Sequence, residues 1–186
     1  MNRNLEDYVK VYNNHYDIDF CKRAVEELDN ADFKNHYFHD DQTDSMVSHD
    51  KDLSISFHQL AEDEYLHEQT WTGIYNYIKE LNFPWYNSWS GYGKIRFNRY
   101  RPGTQMNLHC DHIRTMFDGT IRGIPVLSIV GVLNEDYKGG EFIMWEDTEI
   151  ILKTGDLLIF PSNFLYPHRV LELTKGVRNT FVSWVF

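Results

Sequence analysis

An imidazole and a carboxylate stand two residues apart at His109 and Asp111, with Cys110 between them. The surrounding pattern is typical of a β-strand, in which alternate side chains share a face. His109 and Asp111 should therefore point the same way, whereas we expect Cys110 to face the core. A nitrogen donor and an oxygen donor on one face can bind a transition metal once a third ligand is brought from elsewhere.

A series of polar and turn-forming residues surrounds this pair in a fixed order. Its members are Tyr100, Gly103, His109, Asp111, the turn at 139–142, the turn at Gly155-Asp156, His168 and Arg178. With these elements in this order, residues 94–186 resemble the Fe(II)/2-oxoglutarate dioxygenases, and among them the prolyl 4-hydroxylase-like branch. The resemblance covers about half of the chain.

The resemblance implies a metal centre of two histidines and one carboxylate, the facial triad of non-haem iron oxygenases. His109, Asp111 and His168 would bind Fe(II), leaving positions on the metal for the keto-acid end of 2-oxoglutarate and for O2. The implied reaction hydroxylates a C–H bond and releases succinate and CO2, with ascorbate supporting activity. Because Asp111 is present, the likeness does not extend to the halogenases of this fold.

The resemblance also implies a co-substrate site. Arg178 would bind the distal carboxylate of 2-oxoglutarate, since a guanidinium presents a planar fork that matches a carboxylate. Thr180 lies on the same strand face and would add a hydroxyl. Tyr100 matches the family tyrosine near the metal and co-substrate, and Ser128 matches a hydroxyl position on a central strand. Val132 stands where relatives often place a tyrosine.

Aromatic residues cluster among turn formers at 83–93, immediately before the strand that carries Arg96 and Tyr100. They either line a substrate groove or cover the end of the barrel as ordinary packing, and the sequence leaves both open. The residues that the groove interpretation assigns to the substrate are Trp85, Tyr86, Trp89, Tyr92 and Arg96. Aromatic faces suit the extended conformation of proline-rich segments. Together with the prolyl-hydroxylase-like order of motifs, this favours a peptidyl proline as substrate.

Other functions stay open from the sequence. A peptidyl lysine or a small molecule would suit the same scaffold. An AlkB-type nucleic-acid demethylase shares the triad, but it normally carries a second arginine six residues after the first, where this chain has Trp184. A non-catalytic cupin-like binding protein would have no reason to keep Arg178 and Thr180 at this spacing.

Length, charge and cysteine content limit the kind of protein further. A chain of 186 residues with 42% hydrophobic content can form a single domain, 1–186. The net charge of -10 disfavours an extended nucleic-acid interface and would steer basic-flanked peptides towards the protein. With two cysteines, no apolar signal segment and no run long enough to span a membrane, we expect a soluble, intracellular, cytoplasmic protein. The oligomeric state is not indicated.

Hydrophobic spacing predicts helices over about 19–30 and 62–82, followed by many short strands separated by turns. The second helix is expected to bury Trp71, Ile74, Tyr75, Ile78 and Leu81. Residues 32–50 favour a polar loop or edge strand over a metal site.

This pattern predicts a mainly β fold with flanking N-terminal helices, that is, a jelly roll. The family's double-stranded β-helix, which is cupin-like, is the same architecture. Residues 1–93 would provide helical support and substrate-side loops, and 94–186 the catalytic jelly-roll core. On the strand from 94 to 100, Arg96, Asn98 and Tyr100 should face the site.

Overall fold

The computed structural model describes residues 4–40, 45–48, 51–84, 86, 91–111 and 125–186. Its helices are a short 3-10 helix (Leu5–Tyr8), α1 (Ile18–Leu28) and α2 (Asp63–Leu81). Its strands are β1 (Lys10–Tyr12), β2 (Lys34–Asn35), β3 (Phe38–Asp40), β4 (Ser45–Val47), β5 (Ser54–Ser56), β6 (Arg96–Tyr100), β7 (Met106–His109), β8 (Leu127–Val132), β9 (Lys138–Gly139), β10 (Phe142–Met144), β11 (Thr148–Ile150), β12 (Leu157–Pro161), β13 (His168–Val170), β14 (Leu173–Lys175) and β15 (Arg178–Val185).

Two antiparallel sheets form the body of the fold. The larger sheet has seven strands in the order β1-β12-β8-β15-β6-β5-β2, and the smaller has four in the order β11-β10-β13-β7. Apolar side chains from both sheets pack into one layer, where Val130 and Phe160 of the larger sheet meet Phe142 and Val170 of the smaller. This is the predicted jelly roll, a double-stranded β-helix with helices on one side.

Both helices pack on the other face of the larger sheet. At the start of α1, the Asp17 carboxylate accepts hydrogen bonds from the backbone N–H groups of Asp19 (2.9 Å) and Phe20 (3.0 Å), which is a regular N-cap. Phe20, Ala24 and Leu28 then recur on one face at helical spacing and are buried. The helix therefore buries one stripe against the sheet, as predicted.

The second helix buries a different stripe from the one expected. Trp71 and Tyr75 are 50% and 56% exposed, so the prediction that they join the core was wrong. The buried positions of α2 are Leu66, Thr70, Gly73, Ile74, Tyr77 and Leu81. These positions follow a spacing of three and four residues, which leaves 71 and 75 on the opposite side of the helix. Aromatic residues on both faces made the stripe ambiguous in the sequence.

Residues before Arg96 contribute strands to the larger sheet as well as helices. β1 extends one edge through pairs such as Lys10 with Ile159, and β5 extends the other through pairs such as Ser56 with Phe97. The strand near 53–57 was expected, whereas β1 was not. Residues 53–57 alternate between apolar and polar side chains, whereas Lys10–Tyr12 lies in a stretch without such alternation. No helix in the described part of the chain is long and apolar enough to cross a bilayer.

Gly131, at the centre of the larger sheet, provides a test of the packing. A Cβ atom added at Gly131 would lie 2.1 Å from the Phe181 ring, and overpacking of this kind typically costs ~1–3 kcal/mol. We expect Gly131→Ala to lower the free energy of unfolding by about this amount in urea titrations. Gly93→Ala is the matched control, because its Cβ would meet its nearest neighbour at 3.6 Å. Equal stability of the two variants would contradict the packing described.

Candidate metal and co-substrate site

Three potential metal ligands converge between the two sheets. β7 and β13 pair with His109 opposite His168, and β7 ends at His109, so Asp111 lies in the bend that follows rather than on the strand. The Asp111 Oδ1 atom is 3.4 Å from His109 Nε2 and 3.8 Å from His168 Nε2. The three ligand atoms all lie within 4.8 Å of one another. A single divalent ion with ligand distances of ~2.0–2.2 Å could contact all three.

Backbone carbonyls set the orientation of both imidazoles. His109 Nδ1 donates to the Asn107 carbonyl at 2.7 Å, and His168 Nδ1 donates to the Tyr166 carbonyl at 3.1 Å. A carbonyl can only accept, so the proton of each neutral ring is on Nδ1. The lone pair of each ring is then on Nε2, which faces Asp111. Metal-binding histidines are commonly held in this way.

A serine pair positions the carboxylate. Ser128 Oγ donates to Asp111 Oδ2 at 2.5 Å, and Ser162 Oγ lies 2.8 Å from Ser128 Oγ. A hydroxyl has one proton, and that of Ser128 goes to Asp111, so Ser162 donates to Ser128. The resemblance assigned Ser128 to the co-substrate. The structure instead places its hydroxyl on the carboxylate, at the base of the triad.

The charges of the triad are coupled. Burial alone would raise the pKa of the Asp111 carboxyl, but His168, His109 and Ser128 together hold it below its usual range. Burial lowers the pKa of His168, and Asp111 only partly opposes this. For His109, burial also acts to lower the pKa, but the hydrogen bond and charge of Asp111 outweigh it and raise the pKa. One anionic oxygen and two nitrogen donors are a ligand set that suits Fe(II).

Aromatic rings enclose His168. The Phe142 ring stacks on the imidazole with centroids 5.2 Å apart and an interplanar angle of 15°. Phe160 meets it edge-on at 5.0 Å. The sequence analysis gave neither residue a role at the site. In the pairing of β10 with β13, Met144 is opposite His168 and Phe142 is opposite Val170. These partners depend on the strand register, which the sequence does not show.

Arg178 lies deeper in the same space. Its side chain is among the largest fully buried ones, and its Cζ atom is 5.0 Å from the centroid of the Tyr100 ring and 5.9 Å from that of Tyr137. Among the residues that the structure describes, the buried Nε atom of Arg178 has no hydrogen-bond partner. A buried, unsatisfied donor on a charged group is costly unless a ligand accepts from it. A carboxylate has the geometry to do so, which fits 2-oxoglutarate.

Tyr137, immediately before β9, and Gly140, immediately after it, both lie close to Arg178. Gly140 has a φ of +72°, and a Cβ atom there would lie 3.1 Å from Arg178 Cδ and 3.0 Å from Leu173 Cδ1. Sequence reasoning missed Tyr137 and noted only that Val132 stands where relatives have a tyrosine. Val132 is fully buried, and a second tyrosine near the guanidinium, besides Tyr100, is supplied by Tyr137 just before β9.

One cavity connects the metal ligands to Arg178. Arg96, Asn98 and Tyr100 line it from β6, as strand alternation predicted. Arg178, Thr180, Val182 and Trp184 line it from β15, which was also predicted. Cys110, expected in the core, is only half-buried.

Comparison with known proteins agrees with this geometry. Residues 95–186 match the sequence model of the 2OG-Fe(II) oxygenase superfamily. Through these residues, the chain belongs to the 2OG-Fe(II) oxygenase superfamily. Among similar proteins is a PKHD-type hydroxylase of Xylella fastidiosa (strain M12), 35% identical over 107 residues, with 48% of this chain and 43% of the relative covered. Another, from Aliarcobacter butzleri, is 36% identical over 97 residues, with 48% and 41% covered. The chain therefore spans about two fifths of the length of these relatives.

Solved structures confirm the superfamily fold. A prolyl hydroxylase from Trichoplax adhaerens, in complex with a peptide fragment, superposes with a TM-score of 0.72 at 18% identity, covering 96% of this chain and 83% of that one. A viral collagen prolyl hydroxylase from Paramecium Bursaria Chlorella virus-1 gives 0.66 at 13% identity, covering 96% and 95%. A prolyl-4-hydroxylase from Pseudomonas putida gives 0.65 at 19% identity, covering 96% and 91%. At these identities the likeness establishes the double-stranded β-helix.

The aromatic segment of this superfamily member divides into described and undescribed parts. Trp85 and Trp89 lie outside the described residues. Tyr86 and Tyr92 pack against the core between the helices and the larger sheet, and the Tyr92 hydroxyl is 2.6 Å from His67 Nδ1. Neither tyrosine lines the cavity that holds the triad. The contacts of these two residues are those that the packing interpretation expects.

Removal of the Ser128 hydroxyl should weaken metal binding, because Asp111 would lose the donor that orients it. Loss of such a supporting group typically costs ~10–100-fold in metal affinity. We expect Ser128→Ala to show this change in Mn(II) titrations by calorimetry, and Ser128→Thr to retain more affinity. The control is Ser183→Ala, which removes a buried hydroxyl that donates to the Gly93 carbonyl, away from the triad. Equal affinities of Ser128→Ala and Ser183→Ala would contradict this positioning role.

Proposed function

We propose that this protein is an Fe(II)- and 2-oxoglutarate-dependent dioxygenase that hydroxylates a C–H bond of a peptidyl proline. The observation that carries the proposal is the buried guanidinium of Arg178, with its unsatisfied Nε, in the same cavity as the three metal ligands. Metal ligands alone would suit many functions. A metal site that shares its cavity with a guanidinium able to bind a carboxylate suits a dioxygenase that uses a keto acid.

We assign the metal to His109, Asp111 and His168, with His109 and His168 binding through Nε2. Three protein ligands leave positions on the metal open for the keto-acid end of 2-oxoglutarate and for O2. When bound, the iron with these co-substrates supplies the oxidation of an unactivated C–H bond, with succinate and CO2 as products and ascorbate in support. Asp111 contributes the negative charge of the ligand set.

The chain's own residues position the co-substrate and exclude water. Arg178 holds the distal carboxylate, Thr180 adds a hydroxyl from the same strand face, and Tyr100 packs against the guanidinium plane. Phe142 and Phe160 shield the triad from the side of the core. A dry, fixed pocket of this kind strengthens charge interactions and aligns the reacting groups.

The proline assignment depends on the order of motifs from Tyr100 to Arg178. The relatives named as PKHD-type hydroxylases support hydroxylation, and the prolyl hydroxylases of similar fold support proline by analogy of fold. Arg96 lines the cavity and is a candidate substrate residue, whereas Trp85 and Trp89 remain predictions from the sequence. We further propose that residues 94–186 form the catalytic core of one domain spanning 1–186.

The co-substrate role of Arg178 can be measured directly. We expect Arg178→Ala to weaken 2-oxoglutarate binding to the Mn(II)-loaded protein by ~10–100-fold, because a charge-assisted bidentate pair is worth ~1.5–3 kcal/mol. Anaerobic calorimetry would give the dissociation constant. Arg101→Ala removes an equal charge from an exposed neighbour of Tyr100 and serves as control. An unchanged constant in Arg178→Ala would count against the assignment.

The function itself is tested by mass spectrometry of proline-rich peptides incubated with the enzyme, Fe(II), 2-oxoglutarate and ascorbate. We expect a gain of one oxygen on proline, together with succinate. Asp111→Ala should abolish both, since the variant lacks the only anionic ligand. Parallel reactions with lysine peptides and free amino acids complete the design. Oxygen found only on those substrates would overturn the proline assignment, and full succinate production by Asp111→Ala would overturn the triad.

A further inference from the structure

A second arginine lines the cavity from the same sheet as Arg178, towards its other end. Arg96 lies at the start of β6 and lines the same space as His109 and Asp111. Its Nε donates to Asn98 Oδ1 at 3.1 Å, and its Cζ lies 5.0 Å from the centroid of the Trp184 ring. These two contacts hold the guanidinium plane in place, and no other described residue forms a hydrogen bond with its terminal nitrogens.

Arg96 has no carboxylate partner among the described residues. The structure gives it no salt bridge there, whereas Arg99, on the opposite face of β6, is paired with Asp29 at 3.2 Å. Burial lowers the pKa of Arg96, and Tyr100 and Asp111 only partly oppose this. A cation removed from water without a counter-charge is unfavourable. The position is therefore suited to an anion that arrives with a ligand.

The surroundings of Arg96 also carry an unsatisfied polar atom. His36 Nδ1 is buried and has no hydrogen-bond partner in the described part of the chain. Burial lowers the pKa of His36 to about 4, and the charge of Arg96 adds to this effect. The charge of Asp52 acts in the opposite direction. At this imidazole the positive charge of Arg96 outweighs the negative charge of Asp52. The potential at His36 is therefore positive, which favours the binding of an anion near Arg96.

The two arginines lie at different ends of the cavity. In the pairing of β6 with β15, Arg178 is opposite Tyr100 and Arg96 is opposite Val182. Four residues along a strand correspond to ~13 Å. If Arg178 holds the distal carboxylate of 2-oxoglutarate, Arg96 is left for a different molecule that enters beside the metal ligands.

We infer that Arg96 binds a carboxylate of the primary substrate, placed next to the carbon that is oxidised. This inference rests on the proposed function. The carboxylate could be the C-terminal group of a peptide that ends in proline, or the side chain of an acidic residue beside an internal proline. Both sources offer the planar, bidentate acceptor that a guanidinium fork matches. The overall negative charge of the protein acts at long range, whereas this contact selects locally.

The test compares peptides that differ only in the carboxylate. One pair ends in proline as a free acid or as an amide, and a second pair, with blocked ends, carries Asp-Pro or Asn-Pro. Binding to protein loaded with Mn(II) and 2-oxoglutarate is measured anaerobically by calorimetry, and hydroxylation is measured separately. We expect wild-type protein to prefer the acid of one pair by ~10–100-fold, as for other charge-assisted pairs. The pair that shows the preference identifies the source of the carboxylate.

Variants of Arg96 decide whether this residue is responsible. Arg96→Gln should bind acid and neutral peptides about equally, and Arg96→Lys should keep a reduced preference, because lysine supplies charge without the fork. Arg101→Gln is the control for net charge. If Arg96→Gln does not fold, the reduced preference in Arg96→Lys still tests the claim.

Three results would overturn the inference. They are equal binding of acid and neutral peptides by the wild-type protein, an unchanged preference in both Arg96 variants, and a loss in Arg96→Gln that falls on 2-oxoglutarate instead of the peptide. A carboxylate preference in binding with no hydroxylation of any peptide would support the role of Arg96 and refute the proposed function. The binding measurement therefore tests the role of Arg96, and the turnover measurement tests the proposed function.

Discussion

The pairing of His109 with His168 across β7 and β13 is the constraint on which the site depends. It places two imidazoles side by side, with ring centroids 4.4 Å apart. At this distance the two rings would repel each other if both were protonated, and a nearby anion or metal ion reduces that repulsion. Asp111 supplies the anion from the bend beyond β7. Ser128, on β8 of the opposite sheet, ties that carboxylate to the larger sheet and so couples the site to the jelly roll as a whole.

The sequence predicted features that depend on local alternation. On β6 and β15, side chains two residues apart share a face whatever the tertiary structure, so the orientation of Arg96, Tyr100, Arg178 and Thr180 followed from spacing alone. The order of motifs then gave the fold class. Contacts between distant segments could not be predicted, because they depend on strand register. The hydrogen bond from Ser128 to Asp111 joins residues 17 positions apart through a stretch that the pattern does not constrain.

The side chains that α2 and the aromatic segment bury also depend on tertiary structure. Trp71 was expected in the core because of its size, but helix geometry assigns burial by position, and an exposed tryptophan is tolerated on the outer face. For Tyr92 the sequence left a groove and packing both open, and its hydroxyl meets His67 on the helix side. Residue type alone does not determine which side of a sheet a loop covers.

The central claim is that one cavity holds a metal at His109, Asp111 and His168 and a 2-oxoglutarate carboxylate at Arg178. A crystal structure of the protein grown anaerobically with Mn(II) and 2-oxoglutarate tests it most directly. We predict a single ion bound by both Nε2 atoms and the Asp111 carboxylate, chelated by the keto acid, with the distal carboxylate paired to Arg178. An ion bound elsewhere, or a co-substrate whose distal carboxylate lies away from Arg178, would contradict the account.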